Sequence, residues 1–149
     1  MEISINEFSG VRGVLELEHW RSGNLLQALV IPNLETDVYK ALRANLRIGS
    51  GTAPSHISIG TGTTDAVVGD TAMEAEVDIQ AATRTRITME VENDASQYTY
   101  TFTLAADTDV TEAGLLNALS GGILCYHRVF TAVPTLEADA LKVTWRSKS

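Results

Sequence analysis

Alternating apolar and polar residues predict the first hairpin of the chain. In residues 14–20, leucines alternate with glutamates, which is the pattern of a half-buried β-strand. Residues 21–24 have turn chemistry, and residues 25–31 form a second apolar run. The two runs are therefore predicted to pair as a β-hairpin.

A second hairpin has the clearest alternation in the sequence. Two long alternating runs, residues 82–92 and 97–104, are separated by a short turn at residues 92–95, which predicts an antiparallel pair. One face of the second run is large and apolar, and its residues are Tyr98, Tyr100, Phe102 and Leu104. We expect this face in the core, and we expect Arg84 and Arg86 on the solvated face of the first run.

One segment has helical rather than strand periodicity. Its apolar residues recur every four positions, at Val38, Leu42 and Leu46. Asn33 or Thr36 can cap its start, and Gly49 can end it. The pattern predicts one helix, with its apolar stripe packed on a sheet.

Shorter apolar runs complete the predicted architecture. Four more strands are predicted, at residues 56–59, 110–116, 123–130 and 141–145. Bends are expected at Pro134 and near Asp139. Many short strands with regular turns indicate a mainly β protein, an antiparallel β-sandwich or open barrel with one helix packed on it. We predict a single β-rich domain over residues 11–149, and residues 1–10 as an N-terminal arm, an edge strand or a frayed end.

Composition and charge exclude several classes of function. Of the 149 residues, 44% are hydrophobic and 20% are charged, which allows one real core and argues against disorder. A protein with a net charge of −8 is repelled by the phosphate backbones of nucleic acids, so nucleic acid is not an expected partner. No apolar run approaches the roughly 20 residues that span a bilayer, and the first residues lack the pattern of a secretory signal. A membrane partner is not expected either.

The reactive residue types are few and scattered. Cys125 is the single cysteine, so no intrachain disulfide can form, and its apolar strand pattern predicts a small buried side chain. His127 shares its strand face, but a Cys–His dyad or metal site there needs partners that the pattern does not specify. His19 and His56 lie far away in the sequence and in no metal-ligand motif.

Two loop features resemble binding motifs without matching them. The glycine-threonine run at residues 60–64 lacks the Gly-Lys-Ser/Thr ending of a phosphate-binding loop and leads into no strong helix, so a strand connection is favoured. Calcium ligands are an alternative for four acidic residues whose spacing does not match an EF-hand, Asp65, Asp70, Glu74 and Glu76. Solvated loop carboxylates are favoured for them. We therefore predict no catalytic, cofactor-binding or metal-binding residues, and no enzyme.

Several short segments, taken in order, resemble small virion structural proteins of tailed bacteriophages. Residues 56–64 read HISIGTGTT and residues 68–76 read VGDTAMEAE, similar to an IGTGTT strand-loop followed by GDTAL-x-x-E in those proteins. Residues 111–124, TEAGLLNALSGGIL, resemble the segment TEAGLFN-x-x-SGG-x-L. Met73 and Leu116 depart from the pattern but remain large and apolar. A threonine-rich hairpin and a closing strand are further points of resemblance to those proteins. The likeness therefore covers roughly the C-terminal two thirds of the chain.

Glycines in the third segment have structural explanations. Gly114, within a strand, lets a neighbouring backbone or a large ring come close. Gly121 and Gly122 permit a tight turn with positive φ. No catalytic role follows from these positions.

The resemblance implies a non-enzymatic virion protein that works with other copies of itself. A capsid decoration protein, binding the outer shell through the major capsid protein as a homo-oligomer, with a trimer favoured, is the first expectation. A tail or baseplate accessory protein, such as a fibre adaptor bound to a tail protein, is the second. A carbohydrate-binding module using Trp20, Trp145 and the tyrosines is a third, although Tyr98, Tyr100 and Phe102 alternate as core residues do.

Overall fold

The computed structural model describes residues 13–148, so the predicted arm at residues 1–10 lies outside the described residues. The described residues form nine strands and one helix. In chain order they are β1 (Gly13–Arg21), β2 (Asn24–Pro32), α1 (Asp37–Arg47), β3 (His56–Gly60), β4 (Glu76–Ala81), β5 (Thr83–Ile87), β6 (Ala95–Thr103), β7 (Thr108–Leu116), β8 (Leu124–Thr135) and β9 (Ala140–Lys148).

The strands belong to two antiparallel sheets, one in each of two compact units. The sheet order is β2-β1-β9-β6-β5 in the first and β4-β3-β7-β8 in the second. The described parts of the first unit are residues 13–33, 82–108 and 134–148, and the second unit comprises residues 34–81 and 109–133. Two antiparallel sheets with one helix confirm the predicted mainly β class, as in a β-sandwich with one helix. The single domain over residues 11–149 stays a prediction.

The predicted first hairpin is confirmed in the first unit. β1 and β2 pair antiparallel, and their turn has Ser22 at φ 50° and Gly23 at φ 79°. Two consecutive positive φ angles give the turn a twist that matches paired strands. The centre of this sheet is closely packed, since Leu15 and Trp145 face each other in the β1–β9 register and both are fully buried.

Asp139 joins two turns of the first unit, where the predicted bend lies. Its carboxylate is 2.7 Å from His19 Nε2 and accepts two hydrogen bonds from Arg21, at 2.9 and 2.8 Å. It also accepts the N–H of Leu136 at 2.8 Å. The Arg21 guanidinium, with the Leu136 N–H and His19, holds the pKa of Asp139 well below its usual range against the opposing effect of burial.

The second hairpin is shorter than its alternation predicts, because β5 ends at Ile87. Beyond it, the Asp94 carboxylate accepts the N–H groups of Met89, Glu90 and Val91 at 2.8, 3.1 and 3.1 Å. Those N–H groups therefore bond a side chain, and residues 88–94 form a loop. The alternation of residues alone does not reveal that a side chain competes with a neighbouring strand for these N–H groups.

The aromatic face of β6 is buried, as predicted. Tyr98 and Phe102 keep 7% and 1% of their surface exposed, and Tyr100 is half-buried. Arg84 and Arg86 are exposed, also as predicted. The register places Arg84 opposite Tyr98, so the arginines lie at the exposed margin of the aromatic face.

The predicted helix is confirmed in the second unit, with Thr36 as its N-cap. The Thr36 hydroxyl accepts the N–H of Tyr39 at 3.2 Å and donates to the Leu124 carbonyl at 2.6 Å, so one side chain both caps the helix and ties it to β8. The ring of Tyr39 also meets that of Tyr126 edge-on, with centroids 5.2 Å apart. These contacts fix the buried face of α1 on the second sheet.

Two features of the second sheet differ from expectation. β4 has no counterpart among the predicted strands, although its residues Glu76–Ala81 alternate between polar and apolar side chains. The bend expected at Pro134 is wrong, since β8 continues to Thr135. β8 is the outermost strand of its sheet, and a proline tolerates an edge position because its missing N–H has no partner to lose there. No helix within residues 13–148 has the length and apolarity to cross a membrane.

Burial of Phe102 provides the first test. Phe102→Ala should lower the free energy of unfolding by about 3–5 kcal/mol, because it empties a packed site. Chemical denaturation followed by fluorescence measures the loss. Thr101→Ala, at the adjacent exposed position, is the matched control and should change it little. Equal stability of the two variants would show that the aromatic face is not core.

Candidate functional site

The most unusual residue of the second unit is a fully buried glutamate, Glu112, in β7. Every residue of β7 from Val110 to Leu116 is buried, so the strand leaves no room for a solvated carboxylate. A charge in such a position is strongly destabilising unless hydrogen bonds replace its water. The partners of Glu112 therefore determine how the surrounding chain must fold.

Three of those partners are backbone N–H groups of the long connection between β3 and β4, residues 61–75. Glu112 Oε2 accepts the N–H of Gly62 at 2.8 Å and of Ala75 at 2.7 Å. Oε1 accepts the N–H of Glu74 at 3.0 Å. The two ends of the connection are thus held by one carboxylate.

Glycines let the backbone approach this carboxylate so closely. A Cβ added at Gly60 would lie 2.7 Å from Glu112 Oε2 and 2.9 Å from its Cγ. A Cβ added at Gly62 would lie 2.8 Å from Glu112 Cδ and 2.6 Å from Glu74 Cβ. Real Cβ atoms do not approach other atoms so closely, so both positions require glycine while Glu112 is present.

His127, on the neighbouring strand β8, continues the network. Its Nε2 lies 2.9 Å from Glu112 Oε1, and its Nδ1 lies 2.7 Å from Asp70 Oδ2. A neutral imidazole has one N–H, whereas the doubly protonated ring has two and can donate to both carboxylates. Only 3% of the surface of His127 is exposed, whereas the side chain of Asp70 is 24% exposed, so this His–carboxylate chain runs from the buried Glu112 to the surface.

Both carboxylates are held in the ionised form. Burial alone would raise the pKa of Glu112, but hydrogen bonds from His127 and from the N–H groups of Ala75, Glu74 and Gly62 outweigh it and lower that pKa. Burial likewise opposes ionisation of Asp70, and hydrogen bonds from Val67 and His127 lower its pKa overall. Hydrogen bonding to the charged form thus decides the direction in both cases.

The loop that resembles a phosphate cradle binds carboxylates of its own chain. Besides the Gly62 bond to Glu112, the N–H groups of Thr63 and Thr64 both donate to Glu74 at 3.2 Å. These donors are the ones with which such a loop holds phosphate. The favoured interpretation as a strand connection fits, because the donors already have internal acceptors.

Three of the four acidic residues considered for calcium have separate partners, and the fourth, Asp65, is exposed. Asp70 binds His127, Glu74 binds the threonine N–H groups, and Glu76 accepts the hydroxyl of Ser58 at 2.6 Å. Within residues 13–148, no three His, Cys, Asp or Glu side chains form a group suited to a metal ion.

Cys125 is fully buried, as predicted. Burial raises the pKa of its thiol to about 12, so it carries little of the thiolate that a nucleophile needs. Its sulfur lies 3.5 Å from the carbonyl of Ile123. Both nitrogens of His127 are engaged by carboxylates, so this histidine is not free to activate Cys125.

A half-open groove of about 300 Å³ lies beside this network, still within the second unit. Its lining includes residues 71–73 and 118–122, and among them Leu119 is 62% exposed. Gly114 allows other groups to come close, as predicted, and those groups are the flexible side chains of Met73 and Leu124. A Cβ added at Gly114 would lie 2.6 Å from the Met73 sulfur and 2.9 Å from Leu124 Cδ1.

The Asp70–His127–Glu112 chain was not predicted from the sequence. Glu112 stands in an otherwise apolar run, and His127 stands in another, so each was a signal of a buried polar contact. What the sequence does not reveal is that the distant residues Gly62 and Asp70 fold against these two strands.

No protein-family model, curated protein or solved structure matches the chain. The site is therefore interpreted from its own residues. Gly60, Gly62, Asp70 and Glu112, all within residues 56–76 and 111–124, meet in this network.

The network predicts a defined effect of acid. Because the pKa of Glu112 is lowered on folding, its ionised form stabilises the protein above the ordinary glutamate pKa of 4.5, and this contribution is lost as the pH falls through the folded value. Glu112→Gln should lower the free energy of unfolding at neutral pH by about 3–5 kcal/mol and should weaken its further decline in acid.

Denaturant unfolding at a series of pH values measures both effects. Glu92→Gln, at an exposed loop position, is the matched control and should reproduce the wild-type pH profile. A Glu112→Gln profile parallel to the wild type would contradict the assignment.

Proposed function

We propose that this chain is a non-enzymatic structural protein of a tailed-phage virion, which decorates the outer capsid shell as a homo-oligomer. One observation carries the proposal. Residues from the segments that resemble phage virion proteins together support one long connection, and these residues are Gly60, Gly62, Asp70 and Glu112. A stretch of residues 61–75 without helix or strand is long for a compact protein, and such connections are commonly functional.

The polar network supports a structural role because its groups are engaged with one another. Catalysis needs a nucleophile or base within reach of a substrate. His127 holds two carboxylates, and His19 holds Asp139. Both histidines are nearly fully buried.

The supported connection presents apolar side chains to solvent. Val67 and Val68 are 56% and 46% exposed, and Leu119 in the lining of the groove is 62% exposed. Apolar groups on a rigidly held loop favour binding to another protein, because little conformational entropy is lost on contact. The expected partners are a major capsid protein and other copies of this chain, and the homo-oligomer, with a trimer favoured, stays a prediction.

Two other functions are alternatives to capsid decoration. A tail or baseplate accessory protein, such as a fibre adaptor, needs the same kind of rigid contact surface and differs in location and copy number. A carbohydrate-binding module has less support, since Trp145, Phe102 and Tyr98 are buried. Stacking on sugar faces requires exposed rings.

Copy number in purified particles tests the proposed function. Quantitative mass spectrometry should find this chain in fixed proportion to the major capsid protein, and cryo-electron microscopy should place it on the outer shell. A few copies per particle, located at the tail, would favour the accessory role. Absence from purified particles would refute both virion functions.

The N-terminal arm gives a second test. Residues 1–10 lie outside the described residues, and we propose that they add a strand to a neighbouring chain, because main-chain hydrogen bonds need no particular side chains. Deleting residues 1–8 should weaken binding to undecorated particles and leave the melting temperature of the isolated protein unchanged. Unchanged particle affinity would show that the arm has no such role.

A further inference from the structure

The described sheets end in four outer strands, β2 and β5 in the first unit and β4 and β8 in the second. An outer strand has one row of backbone N–H and C=O groups without a sheet partner, and such a row can pair with another chain. Proteins that stay monomeric block these rows with charges, prolines or bulges.

Three of the four outer strands carry such a block. β5 has exposed arginines at Arg84 and Arg86. β4 has Glu76 and Asp78, and its register with β3 is broken by a bulge. β8 contains Pro134. Charges directly opposite one another would repel if β5 paired with β5 of another copy, or β4 with β4.

The fourth outer strand, β2, has neither a charge nor an interior proline, and its one irregularity is a bulge at Leu26, close to the start of the strand. Its nine residues, NLLQALVIP, include no charged side chain, and its proline is the last residue. Leu25 and Leu26 are 40% and 49% exposed, and residues 27–31 are half-buried. A long, uncharged and apolar outer strand is the kind that pairs with another chain.

We propose that β2 is a self-association surface, at which two copies of this chain pair antiparallel through their β2 strands. The contact is two-fold, so both copies contribute the same strand. If one residue of the first copy contacts a second residue of the other copy, the reverse contact also forms. An uncharged strand meets this condition without repulsion. Pairing would join two five-stranded sheets into one continuous sheet. The inference rests on the homo-oligomer part of the proposed function, and because its contact is two-fold it gives a dimer where that proposal favours a trimer.

The contact is small for a protein interface. One pair of nine-residue strands buries less than the roughly 1,200–2,000 Å² of a standard stable interface. The isolated protein should therefore associate weakly and reversibly. On a particle surface, where other contacts hold the copies close, the same pairing gains from high effective concentration.

Analytical ultracentrifugation of the full chain over a concentration series tests the inference. The mass should rise from 16.1 kDa to twice that value. Leu26→Lys should weaken association at least tenfold, because it places a charge in the paired strands. Leu26 is about half exposed and is passed over by the β1–β2 register, so the monomer tolerates the change. Ile48→Lys, an equally drastic change at an exposed aliphatic residue of the other unit, is the matched control and should associate like the wild type.

Hydrogen exchange of the wild type gives a readout that needs no variant. Amides of β2 should exchange more slowly as concentration rises, while those of β5 should not change. A monomer at all concentrations overturns the inference, and so does a trimer that Leu26→Lys leaves intact. A monomer with β2 amides protected at every dilution also overturns it and indicates that residues 1–12 cover the strand. All of these results concern self-association only. The proposed function is tested separately, by copy number and location on purified particles.

Discussion

The second unit depends on the burial of a single negative charge. Glu112 has no contact with solvent, and its carboxylate is stabilised by three N–H groups and an imidazole. Removing any of these donors leaves a buried charge short of partners, which is far less favourable than never burying it. The path of residues 61–75, the glycines at 60 and 62, and the position of His127 all follow from satisfying that charge.

Carboxylates hold the connections of both units. Asp139 joins two turns of the first unit through Arg21, His19 and a backbone N–H, and Asp94 folds the loop after β5 around its own side chain. A chain with one cysteine has no disulfide to restrain long connections. Acidic side chains that accept several N–H groups perform that restraint here, so part of the acidic composition has a structural explanation.

Local patterns predicted those elements whose residues decide their own structure. The β1–β2 hairpin, the Thr36-capped helix and the buried face around Phe102 follow from alternation, capping and periodicity. The early end of β5 at Ile87 does not, because a side chain seven residues later competes for the backbone. The site was missed for a similar reason: Glu112 meets Gly62 across 50 positions, and nothing in either segment specifies that pairing. Strand β4 is a different case: its residues Glu76–Ala81 alternate between polar and apolar side chains, so the sequence carries a signal for this strand that was not recognised.

The order of strands in the first sheet has a consequence for synthesis. β1 lies between β2 and β9, and the contact of His19 with Asp139 spans 120 positions. While the ribosome is still translating the middle of the chain, β1 has one partner and exposes its other row of hydrogen-bonding groups. The second unit, made from residues 34–81 and 109–133, has its complete sequence available earlier. Nascent chains of this protein therefore pass through a stage in which an unpaired apolar strand waits for its last neighbour, and chaperone binding during translation is expected to concentrate there.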